Sequence, residues 1–194
     1  CDALAALLPE IDGLFGVPQP PRHHPEIDAG IHVLLALKQA VRRAADEVVR
    51  FAVLTHDLGK ATTPPELLPA HHGHEERGVS LIEALCERLR VPREHRELAV
   101  LVSRLHTHVH RALELKPSTI VRLLAQADAM RRPARFEQLL EACALDATGR
   151  LGLEDQDYPQ AARLRAALNV VSSVAPQALL ARGIKGPALA EALT

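Results

Sequence analysis

The chain has 194 residues, 47% hydrophobic and 24% charged, which suits one domain, or one domain with a small appendage, around a real core. Its formal net charge is −1, from 23 Lys and Arg against 24 Asp and Glu, so global charge makes no case for non-specific nucleic-acid binding, although a local basic face stays open. No apolar run approaches the ~18 residues of a membrane-spanning helix, and no signal peptide is visible. Cys1, Cys86 and Cys143 lack metal-motif spacing and are expected as reduced thiols of a cytoplasmic protein. The sequence opens on Cys1 and is expected to be a piece of something longer.

Ala and Leu dominate, and apolar residues recur every three or four positions, which predicts an all-α fold. Residues 1–22 carry Pro9, Pro18, Pro20 and Pro21 and are expected to be a mostly extended lead-in. Helices are predicted over about 29–45 and 46–58, the second ending at Gly59-Lys60, where Gly suits a left-handed terminus. A Pro- and His-rich loop follows over 61–73. The next helix carries Gly78, Leu81, Ile82, Leu85, Cys86 and Leu89 on one stripe. Pro92 opens another, with Leu98, Leu101, Val102, Leu105 and Val109 inward. Ser118 is the expected cap of a helix over 119–130, and Pro133 begins the next. An Ala-rich helix over 160–174 and a short helical pair close the chain. The expected division is a lead-in over 1–22, a core over 23–135 and a helical extension over 136–194.

The stretch VLTHDLGKATTPPELLPAHHGHE at 53–75 gathers imidazoles around one carboxylate. His56 and Asp57 end an apolar helix, where a buried, unpaired carboxylate costs several kcal/mol or more and so requires a cation or hydrogen-bond donors. Asp128 lies four residues after Leu124 and eight after Ile120, on the apolar face of its helix, and His32 sits within GIHVLLAL. Taken singly, His32 or Asp128 reads as a satisfied core polar group. Taken together, His32, His56, Asp57 and Asp128 make a mixed nitrogen and oxygen set that suits Mn, Fe, Co, Ni or Mg. His74 and His106 are favoured as ligands of a second ion, with His110 next, and Asp57 as the bridge between ions about 3.5–4 Å apart. Two such ions would activate water and clamp phosphate oxygens. Lys60 reads either as a point charge for the phosphoryl transition state or as a cation at a helix C-terminus. His71, His72 and His95 read as surface histidines, and His108 as solvent-exposed.

His32, His56-Asp57 and Asp128 resemble the H…HD…D signature of the HD superfamily of metal-dependent phosphohydrolases, with HDLGK at 56–60 and GHE at 73–75 in support. The wider text resembles the C-terminal half of bacterial multifunctional CCA proteins, the tRNA nucleotidyltransferases that carry an HD domain. The segments concerned are LPEIDGLFGVPQPPRHHPEIDAGIH, THDLGKATTPPELLPAHHGHEERGV, ALDATGR and GIKGPALAEAL. The resemblance implies an HD-type helical domain acting as a 2′,3′-cyclic phosphodiesterase, 2′-nucleotidase and phosphatase. It implies a divalent metal, with nickel favoured and Mn, Co or Mg as alternatives. His56, Asp57 and Lys60 would form the catalytic group. CCA addition, with its own Mg, would belong to a nucleotidyltransferase head that these residues lack. The implied partners are the tRNA 3′ end and 2′,3′-cyclic or 2′-phosphate nucleotides, with no membrane, in a monomer or homodimer. Arg131, Arg132 and Arg135 form a candidate RNA contact. Lys185 in GIKGP is either a phosphate contact or part of a turn. Two other functions stay open: an HD hydrolase of free nucleotides, and a non-catalytic tRNA-binding module.

Overall fold

A computed structural model describes residues 3–173. Among the described residues the protein is all-α, with nine helices: α1 (Ala3–Leu7), α2 (Pro9–Asp12), α3 (Ala29–Arg42), α4 (Glu47–Thr55), α5 (His74–Leu89), α6 (Arg93–His110), α7 (Pro117–Gln126), α8 (Pro133–Thr148) and α9 (Pro159–Ser173). Two 3-10 turns, Leu58–Thr62 and Pro65–Leu67, join α4 to α5. The last predicted helical pair lies outside the described residues.

Local chemistry sets the helix starts. Asp28 accepts the backbone N–H of Ile31 at the start of α3, and Asp46 accepts that of Val49 at the start of α4. Pro9, Pro117, Pro133 and Pro159 sit in first turns, where a missing N–H costs nothing. Ser118 is therefore not the cap of α7. The helix begins one residue earlier at Pro117, behind Lys116, and no side chain caps it.

α6 is the central element, packed by α4, α5 and α8, while α3 lies against α4 and α8. The core runs through Val33 and Ala36 of α3, Val49 and Val53 of α4, Ile82 and Leu85 of α5, Leu98 and Val102 of α6, and Leu139 and Cys143 of α8. Leu101 is only half-buried. Residues 1–22 differ from the extended lead-in predicted for them. α1 and α2 are helical, and Ile11 and Leu14 are as buried as any core residue. The prolines there start helices and turns, and they leave room for an apolar edge between them.

The 135/136 boundary cuts α8 near its start, although α8 packs on α3, α4 and α6. α9 rests on α6, α7 and α8 through Ala161 and Leu164. Gly59 is not left-handed. Its backbone runs so close to α5 that a Cβ there would collide with the carbonyl oxygen of His74 and the nitrogen of Gly78. That close approach brings the end of α4 against the start of α5.

Candidate metal centre

α4 stops at Thr55, whose hydroxyl bonds back to the carbonyl of Phe51. His56 stays in the right-handed region and Asp57 turns the chain into the 3-10 turn, so both side chains point into the protein with 1% exposure each. The ring of His56 donates from Nδ1 to the carbonyl of Val53 at 2.7 Å, which leaves Nε2 inward, 3.2 Å from Asp57 Oδ2. His74 and His106 repeat the device from α5 and α6. Their Nδ1 atoms lie 2.8 Å from the carbonyl of His71 and 2.9 Å from that of Ser103. Their Nε2 atoms therefore face inward, 3.5 and 3.6 Å from Asp57 Oδ1.

The carboxylate of Asp57 thus serves two groups. Its Oδ2 faces His32 and His56, and its Oδ1 faces His74 and His106. Neither oxygen has an aligned hydrogen-bond donor, nor does His56 Nε2. Lys60 lies 2.6 Å from Oδ2 as a charge contact and donates to Gln19 Oε1. At 6% exposure Lys60 is a buried cation beside the carboxylate. It does not serve as a solvent-facing charge at a helix end.

Asp128 does not join the cluster. α7 ends at Gln126, and Asp128 adopts φ 52°, so its carboxylate turns outward to Arg131 and Arg132, each 3.8 Å away. Buried Ala127 and Ala129 flank it. The second carboxylate of the site is Asp146, from the last turn of α8. Its Oδ1 is 3.0 Å from His32 Nε2, and its Oδ2 is 2.6 Å from His110 Nε2 and 3.7 Å from His56 Nε2. His110 sits with Asp146, apart from His74 and His106, and its Nδ1 meets the hydroxyl of Tyr158 at 2.8 Å. Sequence reasoning missed Asp146, but the signal was present: it follows Leu139 and Cys143 at i+7 and i+3 along one buried stripe.

Electrostatics follow from these neighbours. Burial pushes His56 down, but the charges of Asp57 and Asp146 outweigh it and raise its pKa to about 9. Burial pushes Asp57 up, but His56 and Lys60 outweigh it and hold the carboxylate well below its usual range. Asp146 is held low in the same way by His110 and His56, against its burial. Burial, helped by the charges of His56 and His74, drives His106 well down and keeps it neutral.

The donor set fits a divalent cation. Imidazole lone pairs from His32, His56, His74 and His106 converge with carboxylate oxygens from Asp57 and Asp146. These buried, electron-rich atoms have too few protons among them to satisfy one another. His32, His56, Asp57 and Asp146 would hold one ion, and Asp57, His74 and His106 a second.

The site opens into a cleft of about 700 Å³ rimmed by Lys60, Arg111, Arg150, His23, His72 and His108. His72 and His108 are exposed, as predicted. His71 is buried instead, donating to the carbonyl of Pro18 and paired with the hydroxyl of Thr63. His95 is partly buried beside the ring of Phe51. Of the arginine cluster, Arg132 and Arg135 both bond Glu97, Arg135 also donates to the carbonyl of Ala127, and Arg131 has a side-chain exposure of 83%. Lys185 lies outside the described residues.

A helical domain that gathers H…HD and a second Asp in this way is an HD domain, and the family profile for the HD domain matches residues 28–132. The chain belongs to that family, whose members are metal-dependent phosphohydrolases. It is similar over its whole length to proteins named Multifunctional CCA protein. It is 55% identical over 193 residues to one from Thioalkalivibrio sulfidiphilus and 57% identical over 194 residues to one from Alkalilimnicola ehrlichii. A third, from Nitrosococcus oceani, is 55% identical over 193 residues. The chain spans about half of these relatives, 47%, 47% and 48% of their respective lengths. No helix among the described residues is long and apolar enough to cross a membrane.

Proposed function

We propose that this chain is the phosphohydrolase part of a tRNA CCA-adding and repairing enzyme, and that it hydrolyses 2′,3′-cyclic phosphodiesters, 2′-phosphates and related phosphomonoesters at an RNA 3′ end. The observation that carries this reading is the shared carboxylate: Asp57 presents one oxygen to each of two ligand groups at the floor of a cation-rimmed cleft. The similarity to the CCA proteins supports the RNA end as the substrate class.

Bound divalent ions supply Lewis acidity at the phosphoryl oxygens and lower the pKa of water. Nickel is the favoured ion, with Mn, Co or Mg also suited to the mixed set. The chain's own residues do the remaining work. Lys60, Arg111 and Arg150 offer positive charge where the phosphoryl oxygens gain negative charge. Backbone carbonyls hold the Nδ1 protons of His56, His74 and His106, which fixes their inward lone pairs before substrate arrives. Hydrolysis of a cyclic diester adds water across one P–O bond, leaving a phosphomonoester on one ribose oxygen and a hydroxyl on the other. Arg131 offers an exposed cation for RNA phosphate outside the cleft, while Arg132 and Arg135 are engaged by Glu97. The protein acts in the cytoplasm as a monomer or homodimer.

The test compares 2′,3′-cyclic AMP, 2′-AMP and a tRNA carrying a 2′,3′-cyclic end with free deoxynucleotides as substrates for the nickel-loaded protein. Preference for the ribose phosphates supports the reading. Preference for deoxynucleoside phosphates would move the activity to free nucleotides, and tRNA binding without turnover would make the chain a binding module.

A further inference from the structure

Glu26 lies ahead of α3, outside any helix, yet its side chain is 1% exposed. Its Oε1 lies 2.9 Å from His32 Nδ1 and 3.0 Å from His24 Nδ1, while Oε2 accepts the backbone N–H of Leu151 at 3.3 Å. The approach to His32 is at hydrogen-bond distance but off the N–H direction, and Nδ1 has no other partner. A bare lone pair there would face a carboxylate oxygen at 2.9 Å, so the proton belongs on Nδ1. Nε2 is then the inward lone pair, directed at Asp146 Oδ1 at 3.0 Å and Asp57 Oδ2 at 4.0 Å.

His56, His74 and His106 have their tautomers fixed by helix carbonyls. His32 has no such bond, and Glu26 takes its place.

The backbone around Glu26 is built for this aim. Ile27 adopts φ 61°, a left-handed conformation in which a β-branched residue is strained. On either side the chain is pinned: Gln19 donates to the carbonyl of Ile27, and Asp28 accepts from Gly16 and caps α3 at Ile31. The left-handed step lets Glu26 point into the cluster while Asp28, two residues on, reaches the helix N-terminus.

His24, Glu26 and His32 have ligand atoms close enough to suggest a third ion. An ion there would take the Nδ1 of His32 while its Nε2 serves the Asp57 group, which requires the ring to give up both protons. The arrangement instead suits a carboxylate that gathers two imidazole N–H groups.

We propose that Glu26 is a positioning residue of the metal centre: by holding the Nδ1 proton of His32 it fixes Nε2 as the metal-facing nitrogen and sets the affinity of the first ion. This rests on the metal-dependent reading above, and its test separates the two. The His32 tautomer is read without metal, by long-range 15N–1H correlation on the 194-residue chain, and Mn(II) binding is measured separately by titration. In wild type, His32 is expected as the Nδ1–H form. In Glu26→Leu the signal moves toward mixed tautomers, and Mn(II) affinity falls about 10- to 100-fold. Glu26→Gln, which keeps an acceptor oxygen, retains the tautomer and loses less than about tenfold of the affinity. A folded Glu26→Leu with an unchanged tautomer and unchanged Mn(II) affinity overturns the proposal. If Glu26→Leu does not fold, Glu26→Gln decides: weaker Mn(II) binding with the tautomer kept supports the proposal, and unchanged binding overturns it. Wild type in the Nδ1–H form that binds no Mn(II) overturns the metal reading and leaves the hold of Glu26 on His32 standing.

Discussion

His74 and His106 face each other Nε2 to Nε2 at 3.1 Å, and each has its Nδ1 turned to a backbone carbonyl. Two neutral rings so placed oppose lone pair to lone pair, with Asp57 Oδ1 3.5 and 3.6 Å away. Such an arrangement persists at low cost only if a positive charge is shared among the three groups. A proton meets that need poorly, because burial holds His106 neutral. A divalent cation meets it with all three lone pairs.

Metal binding is therefore expected to displace protons. His56 has a pKa of about 9, so at neutral pH it carries a proton that coordination must remove. Affinity for Mn(II) or Ni(II) should rise by about tenfold per pH unit between pH 7 and 9 and flatten above. Calorimetry in buffers of different ionisation enthalpy, counting the protons released, checks this. The same group sets the metal-free stability. A folded pKa raised from 6.5 to about 9 stabilises fully below pH 6.5, and that contribution is lost as pH rises through about 9. Thermal melts of the stripped protein from pH 6 to 10 should show the decline.

The two aspartates considered for the site have opposite fates. Asp146→Asn should lower metal affinity and metal-dependent turnover at least about tenfold, as for loss of a ligand or its close partner. Asp128→Ala removes only surface contacts to Arg131 and Arg132, whose ion pairs contribute about 0–1 kcal/mol. It should leave metal affinity and turnover within about twofold. Parallel titrations of the two variants decide between them.

This contrast shows what was legible in the sequence. Both residues continue an apolar stripe, but a stripe predicts burial only while the helix continues. α8 persists through Thr148 and carries Asp146 inward, whereas α7 has ended before Asp128 and the left-handed turn reverses its direction. His32, His56, Asp57, His74 and His106 were legible because each lies in or beside a helix with clear periodicity. Glu26 was not, because it sits in a non-repeating segment whose direction depends on one left-handed residue. α1 and α2 were obscured by prolines that read equally as breaks and as helix starts.

Gly59 places the metal-bearing turn against α5 through backbone contact. Gly59→Ala should cost about 3 kcal/mol or more, because the obstructing atoms are backbone and cannot move aside as a flexible side chain would. Chemical denaturation measures the loss, and Ala61→Gly in the same 3-10 turn serves as a control for glycine content.

The first residues belong to the core. Leu14 has no exposed surface, so Leu14→Ala should cost about 2–5 kcal/mol, the range for a well-packed interior leucine. A surface-like cost under about 0.5 kcal/mol in denaturant melts would contradict that placement.

The most direct test of the whole account is hydrolysis of 2′,3′-cyclic AMP by metal-stripped protein on return of Ni, Mn, Co or Mg, beside Asp57→Ala shown by circular dichroism to be folded. The account predicts turnover restored by metal in wild type and reduced at least about a thousandfold in the variant, since both ligand groups lose their shared carboxylate. Turnover that survives in folded Asp57→Ala, or that needs no metal, would contradict it.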